Sequence, residues 1–169
     1  VIRVGTLKLI HAITPYFYEE FTPAGYKIEV IPYETPTDGK NAVVTRSVDF
    51  GTYGLAAATL GGAAGEPGVS IGAQCNRGMP VVAGANSSIK SIKDLANKKI
   101  GVSAPGSSTD FFLKYILSKN GVDPNSIGVI GVGLGATAVA AMEQGTVDAA
   151  IMLDPSVTVL QGRNKDLKI

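Results

Sequence analysis

Pro105-Gly106-Ser107-Ser108-Thr109 is the stretch of this 169-residue sequence best suited to chemistry. It follows a predicted strand, Lys99 to Ser103, and opens a predicted amphipathic helix, Ser108 to Asn120, stopped by Gly121. The N–H groups in the first turn of a helix have no internal partner. They carry partial positive charge and bind anions. Gly106 lets a ligand come close, and Ser107, Ser108 and Thr109 add hydroxyls. The competing reading is that Ser107 or Ser108 only caps its own helix. The stretch is not a P-loop, because no Gly-Lys-Ser/Thr follows.

In α/β folds ligands sit beyond the carboxyl ends of strands, and four more candidates occupy such positions. Thr52 and Tyr53 follow the predicted strand Val48 to Gly51 and offer a hydroxyl and an aromatic face. His11 and Ala12 lie in the turn after the first strand; a surface or capping role competes for His11. Gly135 lies in the turn from Val132 to Thr137, either a ligand-lining turn or a plain tight one. Its spacing does not fit a dinucleotide fingerprint. Asp154 follows the strand Val147 to Leu153. It either holds a ligand or caps the helix that Pro155 begins. Tyr16, Phe17 and Tyr18 form an aromatic stripe whose default is core packing, with Tyr16 the alternative cleft residue.

The rest of the composition narrows the field. There is one His and one Cys, no Gly-x-Ser-x-Gly elbow and no carboxylate cluster, so no catalytic residue, metal or cofactor is expected. A net charge of +1 lacks the basic excess of a nucleic-acid binder. Cys75 cannot form an internal disulfide and is expected to be a small buried hydrophobe. No run approaches the ~20 apolar residues of a membrane span. No signal peptide or lipid-attachment cysteine precedes Val1, so in an exported protein that segment is expected to have been removed or to lie outside this sequence.

These residues must be positioned by an alternating β/α chain, which implies a mainly parallel sheet covered by helices. Strands are expected at Val1–Leu9, Tyr26–Tyr33, Val48–Gly51, Val69–Gln74, Met79–Ala83, Lys99–Ser103, Ile127–Val132 and Val147–Leu153. Helices are expected at Pro15–Phe21, Thr37–Thr45, Gly54–Ala64, Ser88–Ala96, Ser108–Asn120, Ala136–Gln144 and from Pro155. Ser91 and Asp94 have capping-box spacing. One internal echo stands out: Asn41-Ala42-Val43 through Val48-Asp49-Phe50-Gly51 parallels Thr137-Ala138-Val139 through Val147-Asp148-Ala149-Ala150. It suggests two lobes on one plan, residues 1–84 and 85–169, meeting near Gly84 to Ser87.

The chain resembles the substrate-binding proteins of nitrate/sulfonate/taurine-type ABC importers, of the type II periplasmic binding protein fold. Four stretches carry the resemblance: Ile2 to Thr6, Ser47 to Gly51, Ile92 to Val102 running into Pro105-Gly106-Ser107-Ser108, and Gly145 to Ala150 followed by Asp154-Pro155. It implies two α/β lobes that close on a small molecule, with the turns at Leu9–Ala12, Gly51–Tyr53 and Ser107–Thr109 lining the cleft and Asp154 near its floor. It implies a periplasmic or cell-surface protein, not an enzyme, that docks on ABC permease subunits. An anionic or sulfonate-like organic ligand is expected. The alternative is an enzyme of menaquinone or thiamine-pyrimidine biosynthesis on the same fold.

Three positions depart from the pattern. Asn97 and Arg46 stand where the family commonly has Gly. Members of the family also run on after the second lobe to complete the first. A chain ending at Ile169 would lack that return, which implies pairing with another chain, such as self-association, or weak stability of residues 1–84.

Overall fold

The computed structural model describes residues 1–75, 78–84, 86–163 and 167–169. The chain divides into two compact units, Val1–Arg77 and Gly78–Ile169. Both are parallel-dominated sheets with flanking helices, the α/β class read from the alternating pattern. The expected junction at Gly84–Ser87 includes residue 85, outside the described residues.

In the first unit, β1 (Ile2–Leu7) lies between β2 (Ile28–Tyr33) and β3 (Phe50–Gly51), both parallel to it. The segment Thr14–Phe21 is a 3₁₀ helix. Helix α1 (Pro36–Val44) begins one residue after Thr35. Asp38 Oδ2 accepts from the Thr35 N–H at 3.1 Å, and Thr35 Oγ1 accepts from the Asp38 N–H at 3.2 Å, a complete capping box. Pro36 suits the first helical position, where no N–H is needed. Helix α2 (Leu55–Ala63) is rich in Ala and Gly, and Glu66 in the turn that follows it pairs with Lys40 Nζ of α1 at 2.7 Å. Close packing on β1 depends on glycine: a Cβ at Gly5 would lie 1.9 Å from the Tyr33 phenol oxygen. That buried hydroxyl has no partner among the described residues.

Two expectations fail here. Val69 to Gln74 forms no strand, and Val69 and Ile71 are 87% and 80% exposed. An isolated apolar run becomes a strand only where a neighbour completes its ladder, and this run pairs with none. Cys75, in the same irregular stretch, is exposed rather than buried.

The second unit orders its strands β4-β7-β5-β6, where β4 is Val81–Ala83, β5 Lys99–Val102, β6 Gly128–Gly131 and β7 Ala149–Ile151. Strand β4 runs antiparallel to β7; the other pairs are parallel. The capped helix expected within Ser88–Ala96 is a 3₁₀ turn, Ile92–Leu95, with Ser91 as its N-cap and Asp94 in the expected place. Alternating side chains feed two cores, as a strand buried on both faces requires. Ile100, Val102, Ala149 and Ile151 pack with Leu113 and Leu117 of α3 (Ser108–Lys119) on one face. Ala150 and Met152 pack on the other with Val139 of α4 (Ala136–Glu143) and Leu160 of α5 (Ser156–Arg163).

The Val-Asp part of the echo recurs bond for bond, with Ala42 matched by Ala141 rather than by Ala138. After α1, the Ser47 N–H donates to the Ala42 carbonyl; after α4, the Thr146 N–H donates to the Ala141 carbonyl. Val48 and Val147 are then both buried. Asp49 Oδ2 accepts from the Arg3 N–H at 2.8 Å, and Asp148 Oδ2 from the Lys99 N–H at 2.7 Å. The tight turn puts Arg46 at φ 59° and its counterpart Gly145 at φ 67°. Asn97 sits at φ 60°. The two departures from family glycine are thus left-handed residues.

A left-handed residue with a Cβ costs about 1–2 kcal/mol, partly offset by the looser unfolded chain of Gly. Arg46→Gly is therefore expected to stabilise the protein by roughly 0.5–1 kcal/mol, and Gly145→Ala to destabilise it by about 1 kcal/mol. No atom lies within 4 Å of a Cβ added at Gly145, so its cost is purely backbone. Urea unfolding midpoints of the two variants measure both.

Candidate functional site

In the first unit the site turns are joined by a residue that motif reading passed over. Thr6, fully buried, donates its hydroxyl proton to the Ala12 carbonyl at 2.5 Å. It also lies 2.7 Å from Thr52 Oγ1. A hydroxyl has one proton, so Thr52 must donate to Thr6. Thr52 is left with lone pairs only, and its backbone N–H is held by the Gly5 carbonyl at 2.9 Å. One buried hydroxyl thus fastens the His11–Ala12 turn to the Thr52–Tyr53 turn. Thr6 signals itself in the sequence as a polar residue within an otherwise apolar strand core.

His11 is half-buried in the 3₁₀ turn Ile10–Ala12, and burial holds its pKa below the ordinary value. Tyr53 is half-buried; burial raises its phenol pKa, Lys40 lowers it and Glu66 raises it. The aromatic stripe is not core. Tyr16, Phe17 and Tyr18 are 55%, 52% and 38% exposed. Three residues per turn spread consecutive side chains around the 3₁₀ axis, and only Pro15 of this helix is buried.

In the second unit the turn from β5 to α3 is built on three buried hydroxyls. Ser103 Oγ donates to Ser107 Oγ at 3.0 Å, Ser107 and Thr109 Oγ atoms are 2.8 Å apart, and Thr109 and Ser103 Oγ atoms are 3.0 Å apart. The Ser103 N–H donates to Thr109 Oγ1 at 2.9 Å. Ser103, Ser107 and Thr109 are at most 3% exposed. A ring of this kind uses every hydroxyl proton internally. Ser107 and Thr109 therefore hold the turn in shape with their side chains. The half-buried Ser108 hydroxyl and the N–H groups of Ser108 and Thr109 have no partner among the described residues. Gly106, at φ 76°, donates its N–H to Asp110 Oδ2 at 2.8 Å.

Gly135, at φ 64°, precedes α4, and its carbonyl accepts from Ser156 Oγ at 3.2 Å. That bond ties the turn after β6 to the turn after β7. Asp154 is exposed, and its Oδ1 accepts from the Thr158 N–H at 3.1 Å and the Thr158 hydroxyl at 2.7 Å. It caps the first turn of α5. A groove of about 180 Å³ runs between α4 and α5 over Ala136, Val139, Ala140 and Val159.

The structure brings Gly106 to Thr109 together in one turn, and His11, Ala12 and Thr52 around Thr6. Ser103 and Asp110 were missed; the Ser-x-x-Asp spacing of Ser107 and Asp110 is the same signal that marks Ser91 and Asp94. Among the described residues no three His, Cys, Asp or Glu side chains gather as a metal site, and no helix is long and apolar enough to cross a membrane.

Thr6→Val leaves the Ala12 carbonyl and Thr52 without their partner and is expected to cost about 1–3 kcal/mol in urea unfolding. His11 gives a pH signature. Because burial lowers its folded pKa, the unfolded chain takes up this proton first as pH falls. The contribution is complete above the ordinary histidine pKa of 6.5 and is lost as pH drops from there through the folded pKa. His11→Gln is expected to flatten stability between about pH 7.5 and 5.5, read from urea midpoints.

Comparison with known proteins places this geometry. The model of the NMT1/THI5-like family matches residues 12–169. The alkanesulfonate-binding protein SsuA from Xanthomonas axonopodis pv. citri, bound to MOPS, superposes with a TM-score of 0.83 at 22% identity, over 99% of this chain and 58% of its own. A periplasmic sulfonate-binding protein SsuA from Methylobacillus flagellatus KT gives a TM-score of 0.64 at 25% identity, over 99% and 55%. A binding protein component of an ABC phosphonate transporter from Pseudomonas aeruginosa gives 0.64 at 18%, over 99% and 63%. This chain thus spans less than two thirds of each. No curated protein matches it. The chain belongs to the NMT1/THI5-like family.

Proposed function

We propose that this chain is the ligand-grasping part of an extracytoplasmic solute-binding protein that captures a small organic anion of sulfonate type for an ABC importer. The observation that carries the reading is the β5–α3 turn. The buried Ser103–Ser107–Thr109 ring leaves the Ser108 hydroxyl and two adjacent helix-start N–H groups unpartnered. Such a set recognises an oxyanion without an ion pair. Family membership and the sulfonate-binding relatives support it. Thr52, an acceptor, and Tyr53, an aromatic face, are proposed as ligand-contacting residues of the first unit. His11, Ala12, Tyr16, Gly135 and Asp154 are proposed as further ligand-contacting positions. Permease subunits are the proposed protein partners.

Thermal unfolding against alkane- and arylsulfonates, taurine, nitrate, bicarbonate and pyrimidines tests this. Ligand that binds only the native state at 100 times its Kd adds about 2.7 kcal/mol, or roughly 5–10 °C for a chain of this size. A saturable rise with sulfonates is expected. A rise confined to pyrimidines would replace the anion reading, and no rise with any compound would sink it.

A further inference from the structure

The start of α3 carries a second feature that an anion site does not need. Asp110, in the first turn, is 2% exposed. Its Oδ2 accepts from the Gly106 N–H at 2.8 Å, so the carboxylate folds back over the turn that precedes the helix. Lys114 Nζ is 3.0 Å from the same oxygen, but the Lys114 side chain is 50% exposed and its charge is shared with solvent. Asp110 Oδ1 is buried and has no hydrogen-bond partner among the described residues. The helix terminus supplies roughly half a positive charge, against a full negative charge on the carboxylate. The mouth of α3 is therefore an N–H donor set backed by an incompletely neutralised anion.

We infer that Asp110 is a specificity-determining residue that makes this site accept singly charged oxyanions and reject doubly charged ones. The inference rests on the proposed function and names its substrate class: sulfonate or carboxylate monoanions over phosphonate or phosphate dianions. Both kinds of anion gain the same N–H bonds at Ser108 and Thr109. They differ in how much they are repelled. An anion on those groups sits within about 5–8 Å of the carboxylate, roughly one helical turn. At an effective dielectric constant of about 20, each extra ligand charge at that distance weakens binding on the order of 30-fold to 300-fold before the opposing pull of Lys114 is counted.

Ethanesulfonate and ethylphosphonate share a skeleton and, at about pH 9, carry one and two charges. Their affinities are measured by calorimetry for the wild type, Asp110→Asn and Lys114→Met. The wild type is expected to prefer ethanesulfonate by ~10-fold or more. Asp110→Asn, which keeps an acceptor for the Gly106 N–H, is expected to narrow that ratio by about 10-fold, chiefly by tighter phosphonate binding. Lys114→Met, at a half-exposed position, is expected to widen it, and keeps the test open if Asp110→Asn does not fold. A ratio unmoved by the folded variants, with ethanesulfonate still bound, overturns the charge filter and leaves the binding function standing. Binding of neither probe by any of the three proteins overturns the site and the filter together.

Discussion

Each of the two sheets hangs on one aspartate that grips both polar groups of a residue on the neighbouring strand. The Asp148 N–H donates to the Lys99 carbonyl while its carboxylate accepts from the Lys99 N–H. Asp49 does the same to Arg3, and the Arg3 guanidinium adds a bond to Oδ1 at 3.0 Å. That hydrogen bond, with the backbone N–H of Arg3, holds the Asp49 pKa below its usual range. The grip matters because strand side chains alternate, so a slip of one residue would exchange the two faces. With Asp148 seated, Ala149 and Ile151 enter the α3 core and Ala150 and Met152 the α4–α5 core. The carboxyl ends of β5 and β7 are then placed as well, and the turns that follow them emerge side by side.

At those ends the chemistry follows one rule in both units. Buried hydroxyls satisfy each other, and the groups left over have no partner among the described residues. Thr6 takes the Thr52 proton, and Ser103 closes a ring with Ser107 and Thr109. A buried polar group without a partner is costly, whereas a closed ring is rigid and satisfied. The turns are therefore held in shape by their own side chains. Side chains that motif reading would assign to a ligand instead hold the turn, and the N–H groups at the helix start are left without a partner among the described residues.

Much of this was legible in the residues. Alternation and helix stops located most elements, because burial on a sheet face leaves period-two patterns such as Lys99 to Val102. The Val-Asp echo announced a repeat that the structure carries into its hydrogen bonds. Three things were hidden. Val69 to Gln74 has strand composition but no neighbouring strand, and pairing is not a local property. Tyr16 to Tyr18 has core composition, yet the 3₁₀ winding of Thr14–Phe21 turns these rings outward. The roles of Ser103 and Asp110 depend on which way a side chain folds over the α3 terminus, and a motif does not encode that direction.

Apolar material is divided unevenly between the units. The two clustered cores, from Val82 to Leu160, lie in the second unit, while the first exposes Phe17, Phe21, Phe50 and Leu55. The chain has no Trp, and of its six Tyr all but Tyr115 fall in the first unit. Its ultraviolet absorbance and intrinsic emission consequently watch one half of the molecule. The heat-capacity change of unfolding, which scales with buried apolar surface, is weighted toward the other half. Optical and calorimetric melting curves of this single chain thus report different regions, and any gap between them measures how independently its two units come apart.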